Sequence, residues 1–169
     1  MRTNLITLAL IATLGTEAYS IEDCDILASL EADPSSVSNA VAFNDIQPGA
    51  VIDACSSAIA RNDEDTPRYL LLRARGYLKG GDGPKALLDL EHAHKLGYPA
   101  AAFGLATAYF LGDDVTQDLD KARQLFMHSY ENGVLWSAWG LSLLYQNEMY
   151  ENYDLEEAKK WEVRFKNGG

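Results

Sequence analysis

Positive charge is scarce in this sequence, which has 14 Lys and Arg residues against 25 Asp and Glu residues and a formal net charge of −11. Proteins that bind nucleic acids neutralise phosphates with Lys and Arg, so this balance opposes nucleic-acid binding. The acidic excess has two interpretations. It keeps the chain soluble, or it favours a partner with a basic surface.

Long apolar runs are also missing, apart from the stretch Leu5–Leu14. This run is shorter than the ~20 residues that a membrane-spanning helix needs. Arg2 precedes it and the small-x-small triplet Ala18-Tyr19-Ser20 follows it, which is the pattern of a secretory signal peptide over residues 1–20. A buried first helix or a membrane anchor is the alternative. We expect an exported protein, periplasmic or secreted, whose mature part does not insert into a membrane.

Cysteine occurs only twice, as Cys24 and Cys55. An even number of cysteines in an oxidising compartment favours a disulfide, and closing a loop of this length stabilises the fold by about 3 to 4 kcal/mol in the chain-entropy account. The alternatives are a redox pair or metal ligands. The chain has no Cys-x-x-Cys motif and no second ligand pair nearby, so a structural Cys24–Cys55 bridge is expected.

Catalytic signatures are absent from the sequence. Hydrolase, kinase, nucleotide-loop and zinc motifs do not occur in it. We therefore expect no catalytic residue, no cofactor and no enzymatic activity.

An internal repeat organises most of the chain. Shifting residues 97–109 by 36 positions onto 133–145 aligns Gly with Gly, Ala with Ala, Gly-Leu with Gly-Leu and Tyr with Tyr. A shorter copy from Thr66 repeats the Tyr, Ala and Gly, with four residues missing from its turn. The repeat region spans residues 63–169, and its three units are residues 66–97, 98–133 and 134–169.

Each unit has the pattern of two helices joined by a turn. In the second unit Ala102, Leu105 and Tyr109 share one helical face, Gly112 begins a turn, and Asp118 can cap the second helix. A single hairpin cannot bury its apolar face, so neighbouring hairpins must stack. The prediction is an all-α fold, an α-solenoid of antiparallel helix hairpins with a concave and a convex side.

The second unit resembles the Sel-one-like repeat, a relative of the tetratricopeptide repeat. The resemblance is carried by residues 101–109 (Ala-Ala-Phe-Gly-Leu-Ala-Thr-Ala-Tyr), the turn at 112–118, Lys121-Ala122 and residues 130–133. The first unit is similar to an ordinary tetratricopeptide unit, and the third lacks the turn glycine. The resemblance implies a protein that binds other proteins, scaffolds a complex, or modulates an envelope or signalling protein.

Residues 21–62 precede the repeats, and their sequence predicts two helices. Cys24-Asp-Ile-Leu-Ala is typical of a short helix that ends before Pro34, and residues 48–60 form an amphipathic pattern that carries Cys55. The layout resembles the N-terminal part of exported bacterial repeat proteins. It would serve as the polar N-terminal cap of a solenoid.

Two further sets of side chains follow the repeat. His92 and His128 are 36 residues apart, which suggests a surface metal site, but repeat register alone explains the spacing and no carboxylate or cysteine completes a ligand set. His94 has the wrong spacing to share a helical face with His92. We expect no metal. The tyrosines at 77, 109 and 145 form a ladder that we expect to pack between the two helices of each hairpin.

By analogy with the repeat family, the first helix of each unit lines a partner-binding groove. The candidates are rich in Trp, Phe and Arg, as binding hot spots are. They are Arg68, Leu71, Arg75, Leu78, Phe103, Thr107, Phe110, Trp136, Trp139 and Gln146. In the alternative interpretation Trp136 and Trp139 only pack against the second unit and the C-terminal helix.

The function that we expect is that of a monomeric, exported adaptor that holds a segment of another protein or peptide in this groove. A second hypothesis is a secreted enzyme or small-ligand binder related to β-lactams or the cell wall, as proposed for disulfide-rich relatives of the family. Those relatives have a cysteine pair in each repeat, and this chain has none there. A third hypothesis is a secreted effector that acts on a host protein.

Overall fold

The computed structural model describes residues 22–168, and the predicted signal peptide lies outside them. Within this part of the chain there are eight α-helices, one 3₁₀ turn at Phe43–Asp45 and no β-strand. The helices are α1 Asp23–Ala28, α2 Pro48–Ile59, α3 Thr66–Gly80, α4 Gly83–Lys95, α5 Pro99–Leu111, α6 Leu119–Glu131, α7 Trp136–Tyr145 and α8 Leu155–Lys166. None of them is long and apolar enough to cross a membrane.

Helices that follow one another along the chain pack against one another. Three hairpins result, α3 with α4, α5 with α6, and α7 with α8. The second helix of each hairpin also contacts the first helix of the next one, and α2 packs on α3. The first helices touch as well, α3 with α5 and α5 with α7. The described part of the chain is therefore all-α, with adjacent helices packed in sequence.

An aspartate begins the second helix of every hairpin. The side chains of Asp82, Asp118 and Asp154 each accept a hydrogen bond from a main-chain N–H in the first turn of α4, α6 and α8, which satisfies a donor that the helix itself leaves unpaired. The main-chain N–H of each aspartate also donates to a tyrosine carbonyl oxygen of the preceding helix, at N–O distances of 2.9, 3.0 and 3.0 Å. All three turns therefore close in the same way, although the first is four residues shorter.

Glycine allows consecutive hairpins to approach closely. A Cβ atom added to Gly104 of α5 would lie 2.9 Å from a side-chain carbon of Leu90, and one added to Gly140 of α7 would lie 2.5 Å from the Phe126 ring. Gly104 and Gly140 are 36 residues apart, and so are Leu90 and Phe126. The contact between α4 and α5 is thus repeated between α6 and α7.

The expected disulfide joins Cys24 of α1 to Cys55 of α2, with a sulfur–sulfur distance of 2.08 Å. Both cysteines are at most 1 % exposed and belong to an apolar cluster that also contains Val51, Tyr69 and Leu72. The bridge therefore lies inside the core that joins α1 and α2 to α3.

Candidate partner-binding groove

The predicted groove residues occupy matching positions on the first helices of the three hairpins. Phe103, Thr107 and Phe110 are three or four residues apart on α5 and so share one helical face. A shift of 36 residues places Trp139 on the corresponding face of α7 and Gln146 at the residue that caps its C-terminus. Because the repeat offset is shorter by four residues in the first unit, Leu71, Arg75 and Leu78 are the counterparts on α3.

The face of α3 is covered by residues 22–46, which we call the N-terminal segment. Arg68 is 5 % exposed and its guanidinium donates to both carboxylate oxygens of Asp25, at 2.8 and 3.2 Å. It also donates to Asp65 at 2.6 Å. Burial disfavours the charged form of Arg68, but hydrogen bonds and the charges of both aspartates raise the pKa of Arg68 above its ordinary value.

Arg75 holds the N-terminal segment through main-chain atoms. Its guanidinium donates to the carbonyl oxygens of Ala28, Ser29 and Val41, the last two at 2.6 and 2.9 Å. No carboxylate among residues 22–168 lies within ion-pair distance of Arg75, and burial lowers the pKa of this guanidinium. The three carbonyl oxygens thus replace water around a buried cation.

Leu71 is also buried, at 2 % exposure, in a cluster against which Leu30 of the N-terminal segment packs. Arg68, Leu71 and Arg75 therefore present almost no surface to another protein, with at most 8 % of each exposed. The prediction that these three residues line an accessible groove is wrong, because the chain's own N-terminal segment lies on them. Leu78, at the C-terminal end of α3, is 42 % exposed.

The corresponding face of α5 stays partly open. Phe103, Thr107 and Phe110 are half-buried. The Phe103 and Phe110 rings both contact the Phe126 ring of α6, with ring centroids 5.9 and 6.5 Å apart. The Thr107 hydroxyl donates to the Phe103 carbonyl oxygen at 2.9 Å, so it is already satisfied within its own helix.

Both tryptophans of α7 contact the C-terminal helix. The ring centroids of Trp136 and Trp139 lie 5.1 and 5.8 Å from that of Phe165, and both side chains are half-buried. Packing against α8 is thus a real role of both residues. Gln146 is exposed, and its side-chain amide donates to the Ser142 carbonyl oxygen at 3.1 Å.

Leu143 is a groove residue that the sequence interpretation missed. It is 37 % exposed on α7 and lies between Trp139 and Gln146 on the same helical face. The repeat register could have identified Leu143, because it lies 36 residues after Thr107 and so occupies the same position in its unit. Uncharged groove positions that remain at least partly exposed include Leu78, Phe103, Thr107, Phe110, Trp139, Leu143 and Gln146, and we call this set the apolar strip.

In the first two hairpins the tyrosine ladder packs between the helices, as predicted from the sequence. The Lys85 ammonium lies 5.4 Å from the Tyr77 ring centroid, and the Lys121 ammonium lies 4.0 Å from that of Tyr109. Each pair joins the first helix of a hairpin to the second. In the third hairpin the position of these lysines holds a glutamate, and Tyr145 contacts Tyr150 instead, with ring centroids 5.8 Å apart.

The histidines pair differently from the prediction. His94 and His128 make an edge-to-face contact with ring centroids 5.4 Å apart, whereas the sequence spacing had singled out His92. Among residues 22–168 there is no group of three or more His, Cys, Asp or Glu side chains that could hold a metal ion. His94 lines a cavity between α4, α5 and α6.

No protein-family model matches the chain, and no curated protein matches it significantly. The resemblance to tetratricopeptide and Sel-one-like repeats therefore depends on the residues at the 36-residue offset.

Proposed function

We propose that this protein is an exported adaptor whose hairpins form a tetratricopeptide-like solenoid and whose apolar strip holds a segment of another protein. The observation that carries the proposal is the strip itself. It contains no charged residue, and Leu78 and Leu143 are 42 % and 37 % exposed. Partly exposed apolar side chains beside aromatic rings are typical of protein-binding surfaces.

The repeated contacts support a solenoid arrangement. Every hairpin closes with the same hydrogen bond from aspartate to tyrosine, and the Leu90–Gly104 contact recurs as Phe126–Gly140. Equivalent contacts between consecutive units are what generates a regular superhelix. In that arrangement the first helices line the concave side, and the apolar strip lies along it.

The net negative charge of the chain favours a partner with basic residues. Arg2 and Glu17, which lie outside the described residues, cancel, so residues 22–168 keep the net charge of −11. A negative potential attracts a positively charged partner and repels a negatively charged one. We therefore propose an apolar segment that is flanked by Lys or Arg, and not an acidic one.

A pair of substitutions tests the strip. Leu143→Glu introduces a carboxylate into the strip at a partly exposed position, so the core stays intact. Leu88→Glu makes the same change on α4, at a residue that is 66 % exposed and lies outside the strip. Partners are captured from the exported fraction with the natural protein, and synthetic peptides that cover them are titrated onto all three proteins.

The expected result is a captured protein with a basic-flanked apolar peptide that binds the natural chain and Leu88→Glu equally. Leu143→Glu is expected to bind it at least about tenfold more weakly, because a carboxylate would be desolvated without a partner. Equal binding by both variants would contradict the proposal. So would peptides that are consistently acidic.

Export has its own test. N-terminal sequencing of the protein from the fraction outside the cytoplasm is expected to start near Ile21, after the small-x-small triplet at 18–20. A chain that keeps Met1 and stays in the cytoplasm would contradict this part of the proposal, whatever the strip binds.

A further inference from the structure

A cavity of about 350 Å³ lies between α4, α5 and α6. Its apolar lining is Leu105 and Leu125. Its polar lining is Glu91, His94, Lys95, Tyr109 and Lys121. In a chain with few basic residues, two lysines and a histidine thus line one cavity, together with one carboxylate and two leucines.

This cavity is distinct from the apolar strip. Leu105 and Tyr109 are four residues apart on α5 and share one helical face. At 100° per residue, that face lies roughly opposite the one that carries Phe103, Thr107 and Phe110. A ligand in the cavity and a partner on the strip would therefore bind on different sides of α5.

Lys121 is held in place at the cavity. Its ammonium donates to the Tyr109 hydroxyl at 2.6 Å and lies 4.0 Å from the centroid of that ring. Neither Lys121 nor Lys95 makes an ion pair with a carboxylate among residues 22–168. The positive charge of both lysines is therefore not neutralised by a protein ion pair.

His94 adds a polar atom without a partner. Its Nδ1 is buried and has no hydrogen-bond partner among the described residues. Burial, followed by the nearby His128 ring, lowers the pKa of His94. A negative charge in the cavity would act in the opposite direction and favour the imidazolium form.

We propose that this cavity binds a small organic anion, namely a carboxylate with an apolar body. The carboxylate would accept hydrogen bonds from the Lys121 and Lys95 ammonium groups, and the apolar body would contact Leu105 and Leu125. Glu91 lies at the same cavity and opposes a second negative charge, so a monoanion fits better than a dianion. Binding strengthens as pH falls through the His94 titration, because the imidazolium adds a positive charge beside the bound carboxylate. The other titratable groups at the cavity are Glu91, Lys95, Tyr109 and Lys121, and His128 contacts the His94 ring.

The test uses three probes on the full mature chain, followed by NMR of the histidine ring resonances. Benzoate has the charge and the apolar body, benzamide lacks the charge, and acetate lacks the body. Benzoate is expected to shift the His94 resonances saturably, to raise the titration midpoint of His94, and to bind more tightly than either other probe. Equal binding of benzamide, equal binding of acetate, or a shift that never saturates would each overturn the proposal.

Two variants complete the test. Lys121→Met is expected to weaken benzoate binding about tenfold, because one charge-assisted hydrogen bond is lost. Lys160→Met is the matched control, since Lys160 is paired with Glu157 on α8. Unchanged affinity in Lys121→Met overturns the proposal. If Lys121→Met loses its fold, Lys95→Met is measured in its place under the same criterion. Leu143→Glu should leave benzoate binding unchanged, which separates this site from the apolar strip.

Discussion

The Tyr98 hydroxyl at the start of α5 donates a hydrogen bond of 2.6 Å to the Asp33 carboxylate, 65 residues earlier in the chain. Asp33 is 5 % exposed, and burial raises its pKa even though the Tyr98 hydrogen bond lowers it. The bond fastens the turn between α1 and α2 onto the second hairpin. The N-terminal segment is thus tied to two hairpins and not to α3 alone.

Tyr98→Phe is expected to lower the free energy of unfolding by about 1 to 2 kcal/mol, because a buried carboxylate loses a donor. Chemical denaturation followed by circular dichroism measures the change. Tyr153→Phe is the control, since Tyr153 is 42 % exposed, and it should change little. Equal effects of both substitutions would contradict a special role of the Asp33 contact.

Arg75→Met is expected to destabilise the fold by about 1 to 3 kcal/mol, because three carbonyl oxygens of the N-terminal segment lose the guanidinium and only that of Ser29 keeps another donor, the Val41 N–H. Arg61→Met is the comparison, since Arg61 forms a partly exposed ion pair with Glu22 at 3.2 Å and its loss should destabilise the fold much less. Hydrogen exchange of residues 28–41 should also accelerate in Arg75→Met. Unchanged exchange there would show that Arg75 does not hold the segment.

Gly140→Ala is expected to cost about 1 to 3 kcal/mol, because the new Cβ would lie 2.5 Å from the Phe126 ring. Gly49→Ala is the matched substitution in another helix, where a Cβ meets nothing within 4 Å. It should stabilise by up to about 1 kcal/mol through the better helix propensity of alanine. Thermal unfolding of both variants measures these changes in stability. A change of the same sign in both variants would refute the packing argument.

The stability of the protein should depend on pH through His94. Its folded pKa lies below the ordinary value of 6.5, so the unfolded chain binds more protons in the interval between the two values. The free energy of unfolding therefore falls as pH is lowered from 6.5 towards the folded pKa. His94→Gln should flatten this part of the urea-denaturation profile, whereas the exposed His92→Gln should keep it.

Replacing both cysteines, Cys24→Ser with Cys55→Ser, is expected to lower the free energy of unfolding by about 3 to 4 kcal/mol. In the folded natural protein both cysteines are at most 1 % exposed, so a dithiol in solution cannot reach the sulfur atoms. Alkylation followed by mass spectrometry should find free thiols only when dithiothreitol is combined with denaturant. Thiols released under native conditions would contradict this.

The helix hairpins were accessible to sequence reasoning because local signals fix them. Asp118 caps α6 as predicted, and the disulfide followed from two cysteines and the expected compartment. Asp82 and Asp154 lie 36 residues before and after Asp118, and they cap α4 and α8 in the same way. Periodicity and capping are short-range properties, which is why a single sequence contains them.

The path of the N-terminal segment was not accessible in this way. Between α1 and α2 it has only a 3₁₀ turn, so no periodicity indicates which surface it covers. Its contacts with Arg68, Arg75 and Tyr98 join residues 34 to 65 positions apart. The His94–His128 contact was missed for a related reason, since the relative rotation of α4 and α6 decides it and the 36-residue spacing does not.

Arg75 binds the N-terminal segment through carbonyl oxygens, which every residue type supplies. Substitutions at the exposed positions 39, 40 and 42–45 therefore leave those acceptors in place. The side chains constrained by their contacts include Cys24 of the disulfide, Asp25, Leu30, Asp33 and Ile46. The exposed positions can therefore change during evolution while the path of the segment stays the same, and two homologous chains could share this structure with few identical residues beyond the constrained ones.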